Sequence, residues 1–192
     1  DGVAAVLTSR GIVLPAGDPD GANNQPDRET MSGLASRKDE YSLALLHERG
    51  PRSFPPSVAL VRALRRHGIA TAVVSGSRHC AEVLAAAGIA QLFDVRVDGI
   101  DAERLHLAGK PDPATFLEAA RRLGVAPASA GVVEDAVAGV EAGSRGGFAF
   151  VLGVDRHGQP DALSRGGAGI VVADLAELAV EPAGPGRARL VL

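Results

Sequence analysis

The stretch GVVEDAVAGVEAG, residues 131–143, joins a short apolar segment, two acids and a helical pattern. Residues 131–133 have the near-continuous apolar character of a strand that is buried in a parallel sheet. Glu134 and Asp135 follow where this strand ends, and residues 136–144 have the apolar spacing of a helix. A strand that leads directly into a helix is the repeating unit of α/β folds, so the stretch predicts that class.

The same alternation extends along the chain on both sides of this stretch. Apolar segments of strand length lie at residues 69–75, 93–98, 148–154 and 169–172. Helical patterns lie at residues 56–67, 78–87, 113–123 and 174–179. The alternation predicts a doubly wound α/β core, in which helices flank a parallel sheet.

The first third of the chain has no strand pattern. We expect helices over residues 1–10 and 29–48, and a loop rich in Gly, Pro, Asp and Asn at 16–28. We therefore predict a small helical domain, an α/β core and a C-terminal tail without regular structure. Their boundaries are 1–53, 54–182 and 183–192.

The composition excludes several classes of protein. The net charge is −3, with one Tyr, no Trp and no dense basic run, which argues against nucleic-acid binding. A single cysteine, Cys80, cannot form an internal disulfide. No apolar run approaches the ~18 residues that suggest a membrane span, and no signal peptide is visible. We expect a cytoplasmic monomer without a membrane or nucleic-acid partner.

Polar side chains follow three of the predicted strands, among them Asp155 and Arg156 after residues 148–154, and a lysine precedes one of the helices. Ligands of open α/β sheets bind at the carboxyl ends of the strands. The candidates are Ser75, Ser77, Arg78, His79, Lys110, Glu134 and Asp135. Each one alone fits a helix cap, a turn or a solvated loop as well. Together, a hydroxyl, an ammonium and two carboxylates suit phosphoryl transfer with Mg²⁺, which prefers oxygen ligands.

Three segments resemble known motifs in their order and spacing. AVVSGS (72–77), GKPDPATF (109–116) and VVEDAVAGVEAG (132–143) are similar to motifs II, III and IV of the haloacid dehalogenase superfamily. GLASRKDEY (33–41) and VLGVDRHGQPDAL (151–163) are similar to segments of its β-phosphoglucomutase-like subfamily. The resemblance covers nearly the whole chain and implies a Rossmann-like core with a helical cap.

The resemblance implies a role for each candidate residue. Ser75 would hydrogen-bond the transferring phosphoryl group, and Lys110 would neutralise its charge. Glu134 and Asp135 would be the acids of the Mg²⁺ site. The substrate phosphate would be contacted by four residues: Lys38 from the cap, and Ser77, Arg78 and His79 from the loop after motif II. The mutases often have Lys-Asn where this chain has Arg78-His79, but arginine can also bind phosphate.

The two lysines of the chain coincide with two of these positions. The other eighteen of the twenty basic residues are arginine. Lysine and arginine are not interchangeable beside a metal and a carboxylate, so this usage favours a functional role for Lys38 and Lys110.

The superfamily's first motif, a strand followed by Asp-x-Asp, is not found. It carries the nucleophilic Asp and the acid/base Asp of phosphatases and mutases. Asp1-Gly2-Val3 does not fit the end of that motif, because residues 4–11 have a helical pattern. We expect that the chain begins inside the cap and lacks the first core strand. That strand would lie between the strands that carry Ser75 and Glu134.

Several functions stay open at this stage. The resemblance favours interconversion of β-glucose 1-phosphate and glucose 6-phosphate through an aspartyl-phosphate. A phosphatase of a small phosphorylated sugar or metabolite would use the same residues, and an inactive or regulatory fragment is a third reading. A phosphoacceptor receiver domain is disfavoured, because its acids precede its lysine. We further expect Cys80 to be a buried small apolar residue. Asp155 and Arg156 could form a local ion pair or line the site, and we favour the ion pair.

Overall fold

The computed structural model describes residues 7, 10–17, 29–184 and 188–192. The chain forms two compact units, residues 1–51 and 52–192. Most of the helix predicted at 1–10 and of the loop predicted at 16–28 lies outside the described residues. Within the described ranges, no helix is both long enough and apolar enough to cross a lipid bilayer.

The first unit is built on one long helix, α1 (Met31–Arg49), close to the predicted range of 29–48. The hydroxyl of Thr30 accepts a hydrogen bond from the backbone N–H of Gly33 at 3.0 Å, so Thr30 is the N-cap. Gly50 follows the helix with a φ of 66°, a conformation that glycine adopts at little cost. Cap chemistry that is visible in the sequence thus sets both ends of α1.

The second unit contains short helices that alternate with short strands. The helices are α2 (Pro55–Arg66), α3 (Cys80–Ala86), α4 (Gly99–Arg104), α5 (Ala114–Leu123), α6 (Val137–Arg145) and α7 (Pro160–Arg165). The strands are β1 (Ala72–Val74), β2 (Val95–Val97), β3 (Gly131–Glu134), β4 (Phe150–Val154), β5 (Ile170–Val172), β6 (Ala179–Pro182) and β7 (Ala188–Val191).

The first five strands form two parallel ladders. One joins β1 to β2, and the other has the order β3-β4-β5. The predicted α/β class, with parallel strands flanked by helices, is therefore confirmed. In the described part of the chain, β1 pairs with β2 alone and β3 pairs with β4 alone. Each of these two strands thus has one edge without a backbone partner among the described residues.

The core lies on both faces of β4. Val151 belongs to a cluster that includes Phe116, Val132 and Val140, whereas Leu152 and Val154 belong to a second cluster against α2 and β5. Burial on both faces explains why the residues of β4 read as a continuous apolar run rather than an alternating one.

The C-terminal region differs from the prediction. Residues 174–179 were expected to form a helix, but only one 3-10 turn forms, at Leu175–Glu177, and β6 follows it. The expectation of no regular structure after 182 is also wrong, because β7 pairs antiparallel with β6. Val180 and Leu190 pack against the second core cluster. These strands are stabilised by partners distant in sequence, which a local pattern does not reveal.

Helices α4 and α7 were also missed. Each has only six residues, too few for a helical period to be recognised. The Asp98 carboxylate caps α4 by accepting hydrogen bonds from the backbone N–H groups of Ile100 and Asp101. Pro160 stands in the first turn of α7, where its missing N–H costs nothing.

Arg122 of α5 pairs with a carboxylate of α4, Asp101, and with a carboxylate of its own helix, Glu118. Its guanidinium pairs with Asp101 at 2.8 Å and with Glu118 at 2.7 Å. The hydrogen bond from Arg122 holds the pKa of Asp101 well below its usual range. Hydrogen bonds from Arg121 and Arg122 lower the pKa of Glu118 to about 2.

We expect the free energy of unfolding of the R122Q variant to fall less in acid than that of the wild type. Both carboxyl groups have lower pKa values in the folded than in the unfolded chain, so the unfolded chain binds more protons in acid. Their stabilisation is present above about pH 4.5 and is lost as the pH falls towards 2. At pH 7, R122Q should lower the free energy of unfolding by on the order of 1 kcal/mol.

Urea unfolding at pH 7 and at pH 3 measures this dependence. The difference in the free energy of unfolding between the two pH values should be smaller for R122Q than for the wild type, whereas the exposed R49Q control should match the wild type. Equal differences in wild type and R122Q would contradict this account.

Candidate functional site

The Lys110 side chain is held against the acid at the end of β3. Its ammonium pairs with one carboxylate oxygen of Glu134 and lies 4.6 Å from the ring centroid of Phe116. The side chains of Lys110 and Glu134 are 23% and 10% exposed, so the pair is mostly shielded from water. Lys110 precedes Pro111 in a cis peptide bond. The structure thus brings together the lysine and one of the acids that the sequence singled out.

The second carboxylate oxygen of Glu134 faces the start of α6. It accepts hydrogen bonds of 3.2 Å from the backbone N–H groups of Asp135 and Ala136. The amino-terminal end of a helix carries partial positive charge, which favours a carboxylate there. Both oxygens of Glu134 therefore have cationic or N–H partners.

Asp135 is paired with an arginine from another strand. Its carboxylate lies 3.4 Å from Nε of Arg156, which follows β4. The guanidinium stacks 3.7 Å from the ring centroid of Phe54 and donates a 3.2 Å hydrogen bond to the Ser57 hydroxyl. Asp135 is 46% exposed and Arg156 only 19%. Arg156 is therefore a shielded cation beside a predicted metal ligand.

This pairing corrects the expectation that Arg156 forms an ion pair with its neighbour Asp155. The Asp155 carboxylate instead accepts hydrogen bonds from the backbone N–H groups of His157 and Gln159, at 3.2 and 2.8 Å. Asp155 closes its own turn, so Arg156 is left to reach Asp135. Sequence spacing gave no signal for this contact, because Asp135 and Arg156 follow different strands, β3 and β4.

The loop after β1 is ordered by its own serines. The Ser75 hydroxyl accepts from the N–H of Ser77 at 3.1 Å, and the Ser77 hydroxyl accepts from the N–H of His79 at 3.2 Å. The N–H of Gly99 donates to the Ser77 carbonyl at 3.1 Å. A Cβ atom on Gly99 would lie 2.7 Å from the Gly76 carbonyl oxygen, so only glycine allows this approach.

The basic residues of this loop have acidic partners. Arg78 pairs with Glu103 of α4, and both side chains are more than half exposed. His79 lies 3.7 Å from the carboxylate of Glu82. The sequence did not indicate Glu103 as a partner, because α4 itself was not predicted.

Cys80 begins α3 directly after this loop. Its side chain is buried, as predicted, and is not in a disulfide. Burial raises the pKa of the thiol, and the nearby Asp98 carboxylate adds to this shift. A thiol that resists ionisation is a poor nucleophile, so Cys80 is a packing residue.

Lys38 lies in the first unit, on α1. Its ammonium pairs with the carboxylate of its neighbour Asp39 at 2.9 Å, and its side chain is 62% exposed. Its role towards a substrate stays a prediction.

The acids offer the ligand chemistry that Mg²⁺ prefers. In the ranges that the structure describes, no three His, Cys, Asp or Glu side chains are placed to hold a metal ion together. Mg²⁺ is often bound through one or two carboxylates, with water and substrate phosphate completing its shell. Glu134 and Asp135 fit that pattern, and Asp135 is the more accessible of the two.

Comparison with known proteins agrees with the fold and the motifs. Residues 24–147 match the family of haloacid dehalogenase-like hydrolases. Over 181 residues the chain is 44% identical to a β-phosphoglucomutase of Mycobacterium bovis, covering 93% of this chain and 68% of that protein. Over 128 residues it is 40% identical to a trehalose-phosphate phosphatase of Mycobacterium leprae, covering 65% of this chain and 28% of that protein.

A solved structure shows the same arrangement. The β-phosphoglucomutase of Clostridium difficile superposes with a TM-score of 0.66 at 27% identity, over 79% of this chain and 64% of that one. The chain therefore belongs to the haloacid dehalogenase-like hydrolases, and within them it is β-phosphoglucomutase-like.

Proposed function

We propose that this chain belongs to a Mg²⁺-dependent enzyme that interconverts β-glucose 1-phosphate and glucose 6-phosphate. The observation that carries the proposal is the shielded Lys110–Glu134 pair at the carboxyl end of β3, with Asp135 beside it. It joins an ammonium to acids of the kind that bind Mg²⁺, and phosphoryl transfer needs both. The 44% identity to a β-phosphoglucomutase supports this substrate class.

Each residue of the site has its own role in the proposed reaction. Lys110 offsets the charge of the phosphoryl oxygens, and the Ser75 hydroxyl hydrogen-bonds one of them. Glu134 and Asp135 would hold Mg²⁺, which when bound supplies further positive charge to the phosphoryl group. Glu134 also orients the Lys110 ammonium, because the two are already in contact.

We assign the substrate's second phosphate to the loop after β1, where Ser77, Arg78 and His79 offer a hydroxyl, a guanidinium and an imidazole. Lys38, which lies in the first unit, stays a separate candidate for binding substrate phosphate. Because Arg78 is paired with Glu103, a phosphate must compete with that carboxylate for the guanidinium.

The nucleophile of the proposed reaction is a carboxylate that lies outside residues 1–192. Glu134 and Asp135 are engaged by Lys110 and Arg156, so neither is poised to attack phosphorus. A strand that carries the nucleophile could pair with the edges of β1 and β3 that have no backbone partner among the described residues. Its carboxylate oxygen would attack phosphorus while the bond to the sugar oxygen breaks and that oxygen gains a proton. A sugar hydroxyl would then take the phosphoryl group, lose its proton and regenerate the carboxylate.

A phosphatase is the second candidate, and the identity to a trehalose-phosphate phosphatase favours it. The two functions differ only in the acceptor, because water replaces the sugar hydroxyl in the second step.

One assay separates these functions. Residues 1–192, and a longer form that includes the nucleophile strand, are incubated with β-glucose 1-phosphate and glucose 1,6-bisphosphate, with and without Mg²⁺. We expect the longer form to produce glucose 6-phosphate only with Mg²⁺, and residues 1–192 to produce none. Release of inorganic phosphate would indicate the phosphatase. Turnover by residues 1–192 would overturn the assignment of the nucleophile, and no turnover by a folded longer form would leave a non-catalytic module.

A further inference from the structure

Gly139, in the first turn of α6, lies directly against the carboxylate of Glu134. A Cβ atom built on Gly139 would overlap the carboxylate carbon and both oxygens of Glu134. Gly139 is itself buried. The carboxylate therefore occupies the space that a side chain at position 139 would need.

The contact matters because of what holds the carboxylate there. One oxygen pairs with Lys110, and the other accepts from the N–H groups of Asp135 and Ala136. The carboxylate makes these contacts from a position directly against Gly139. A methyl group at position 139 would force the Glu134 side chain to move away from Lys110.

We propose that Gly139 is a positioning residue, which sets the place of the Glu134 carboxylate and through it the place of the Lys110 ammonium. The proposal deepens the proposed function and rests on it for its catalytic meaning. The claim that Gly139 sets the position of the Glu134 carboxylate rests only on the contacts described above. Gly139 touches no substrate in this account and acts only through Glu134.

This role can be separated from a purely structural one. The three atoms nearest to a Cβ at position 139 belong to the far end of one flexible side chain, that of Glu134, so the side chain can move without a shift of the backbone. Alanine is also a better helix former than glycine. The G139A variant should therefore melt no lower than the wild type, although the Lys110–Glu134 pair is broken.

The two lysines of the chain allow a direct readout of that pair. We would acetylate the folded chain briefly and measure the ratio of Lys110 to Lys38 modification by mass spectrometry. Lys38 lies in the first unit and serves as the internal reference. We expect G139A to raise the ratio at least about threefold, because the ammonium loses its carboxylate cover.

Two further variants make the test specific. G143A adds a methyl group to the same helix, but against Val132 and Val151 of the core, at 3.0–3.2 Å. It should leave the labelling ratio unchanged. E134Q should raise the ratio by itself, and adding G139A to E134Q should raise it no further, because both act on one contact.

Each outcome has a clear meaning. An unchanged ratio in G139A, an equal rise in G143A, or an additive effect in the double variant would overturn the proposal. The proposal is supported if G139A raises the labelling ratio, melts no lower than the wild type and adds nothing to the effect of E134Q. The labelling needs no turnover, so the proposal on Gly139 can succeed even if the assay for phosphoryl transfer fails, and the reverse also holds.

Discussion

Replacing Lys110 with methionine is expected to lower phosphoryl transfer at least about 100-fold, with little change in the amount of folded protein. The ammonium pairs with the carboxylate of Glu134 and is mostly shielded from water. In such a setting a positive charge acts strongly on developing negative charge. Methionine retains the length and the apolar stem but has no charge.

The measurement is kcat/KM of the form of the protein that turns over β-glucose 1-phosphate. Residues 1–192 offer a second readout, because K110M should weaken binding of inorganic phosphate at least about tenfold by calorimetry. K110R is the matched variant that keeps the charge. A planar guanidinium cannot replace a compact ammonium beside a carboxylate, so K110R should recover only part of the loss. Activity in K110M within about twofold of the wild type would show that Lys110 lies outside the reaction.

Replacing Leu152 with alanine is expected to lower the free energy of unfolding by about 3 kcal/mol. Leu152 is 2% exposed at the centre of β4 and packs in the cluster that contains Leu60, Val154 and Val172. The smaller side chain loses buried apolar area and leaves a cavity that the neighbouring strands fill only in part. The loss corresponds to roughly a hundredfold change in the folding equilibrium.

Urea unfolding followed by circular dichroism measures this loss. Leu192→Ala is the matched control, because Leu192 is 76% exposed and the same atoms are removed from a site in water. The control should stay within about 0.5 kcal/mol of the wild type. Equal unfolding midpoints for the two variants would show that the cluster around β4 does not carry the stability of the second unit.

Local patterns in the sequence were reliable where a local cause sets the element. Three such local features can be recognised in the sequence: the apolar run before Glu134, the Thr30 cap of α1 and the proline at the start of α2. The structure has a strand at the first and a helix at each of the other two. The six-residue helices α4 and α7 and the pair β6–β7 were missed. Their stability comes from caps and packing partners that a helical or strand period does not record.

The candidate site also contains residues that the sequence indicated and contacts that it did not. The lysine of Gly-Lys-Pro and the acids after β3 could be selected from the sequence, because parallel strands bring their carboxyl ends to one edge. Phe116 beneath Lys110 lies within the segment GKPDPATF, so a search for ring partners of Lys110 could have found it. Nothing in the local sequence joins Arg156 to Asp135 or Glu103 to Arg78.

The two lysines differ in their exposure and in their partners in the structure. Lys110 has a shielded carboxylate partner and a ring 4.6 Å from its ammonium, whereas Lys38 is exposed and pairs with its neighbour Asp39. The assignment of Lys38 to the substrate stays a prediction.

The sequence by itself determined the α/β class, the order of the motifs and the residue types that offer phosphoryl-transfer chemistry, because periodicity, caps and charge are local properties. Only the tertiary structure decided which charges meet. Lys110 with Glu134, Arg156 with Asp135 and Arg78 with Glu103 are contacts between elements 21–25 positions apart in the chain. Their geometry follows from how strands and helices pack, and the Glu134 carboxylate occupies the space that a side chain at position 139 would need.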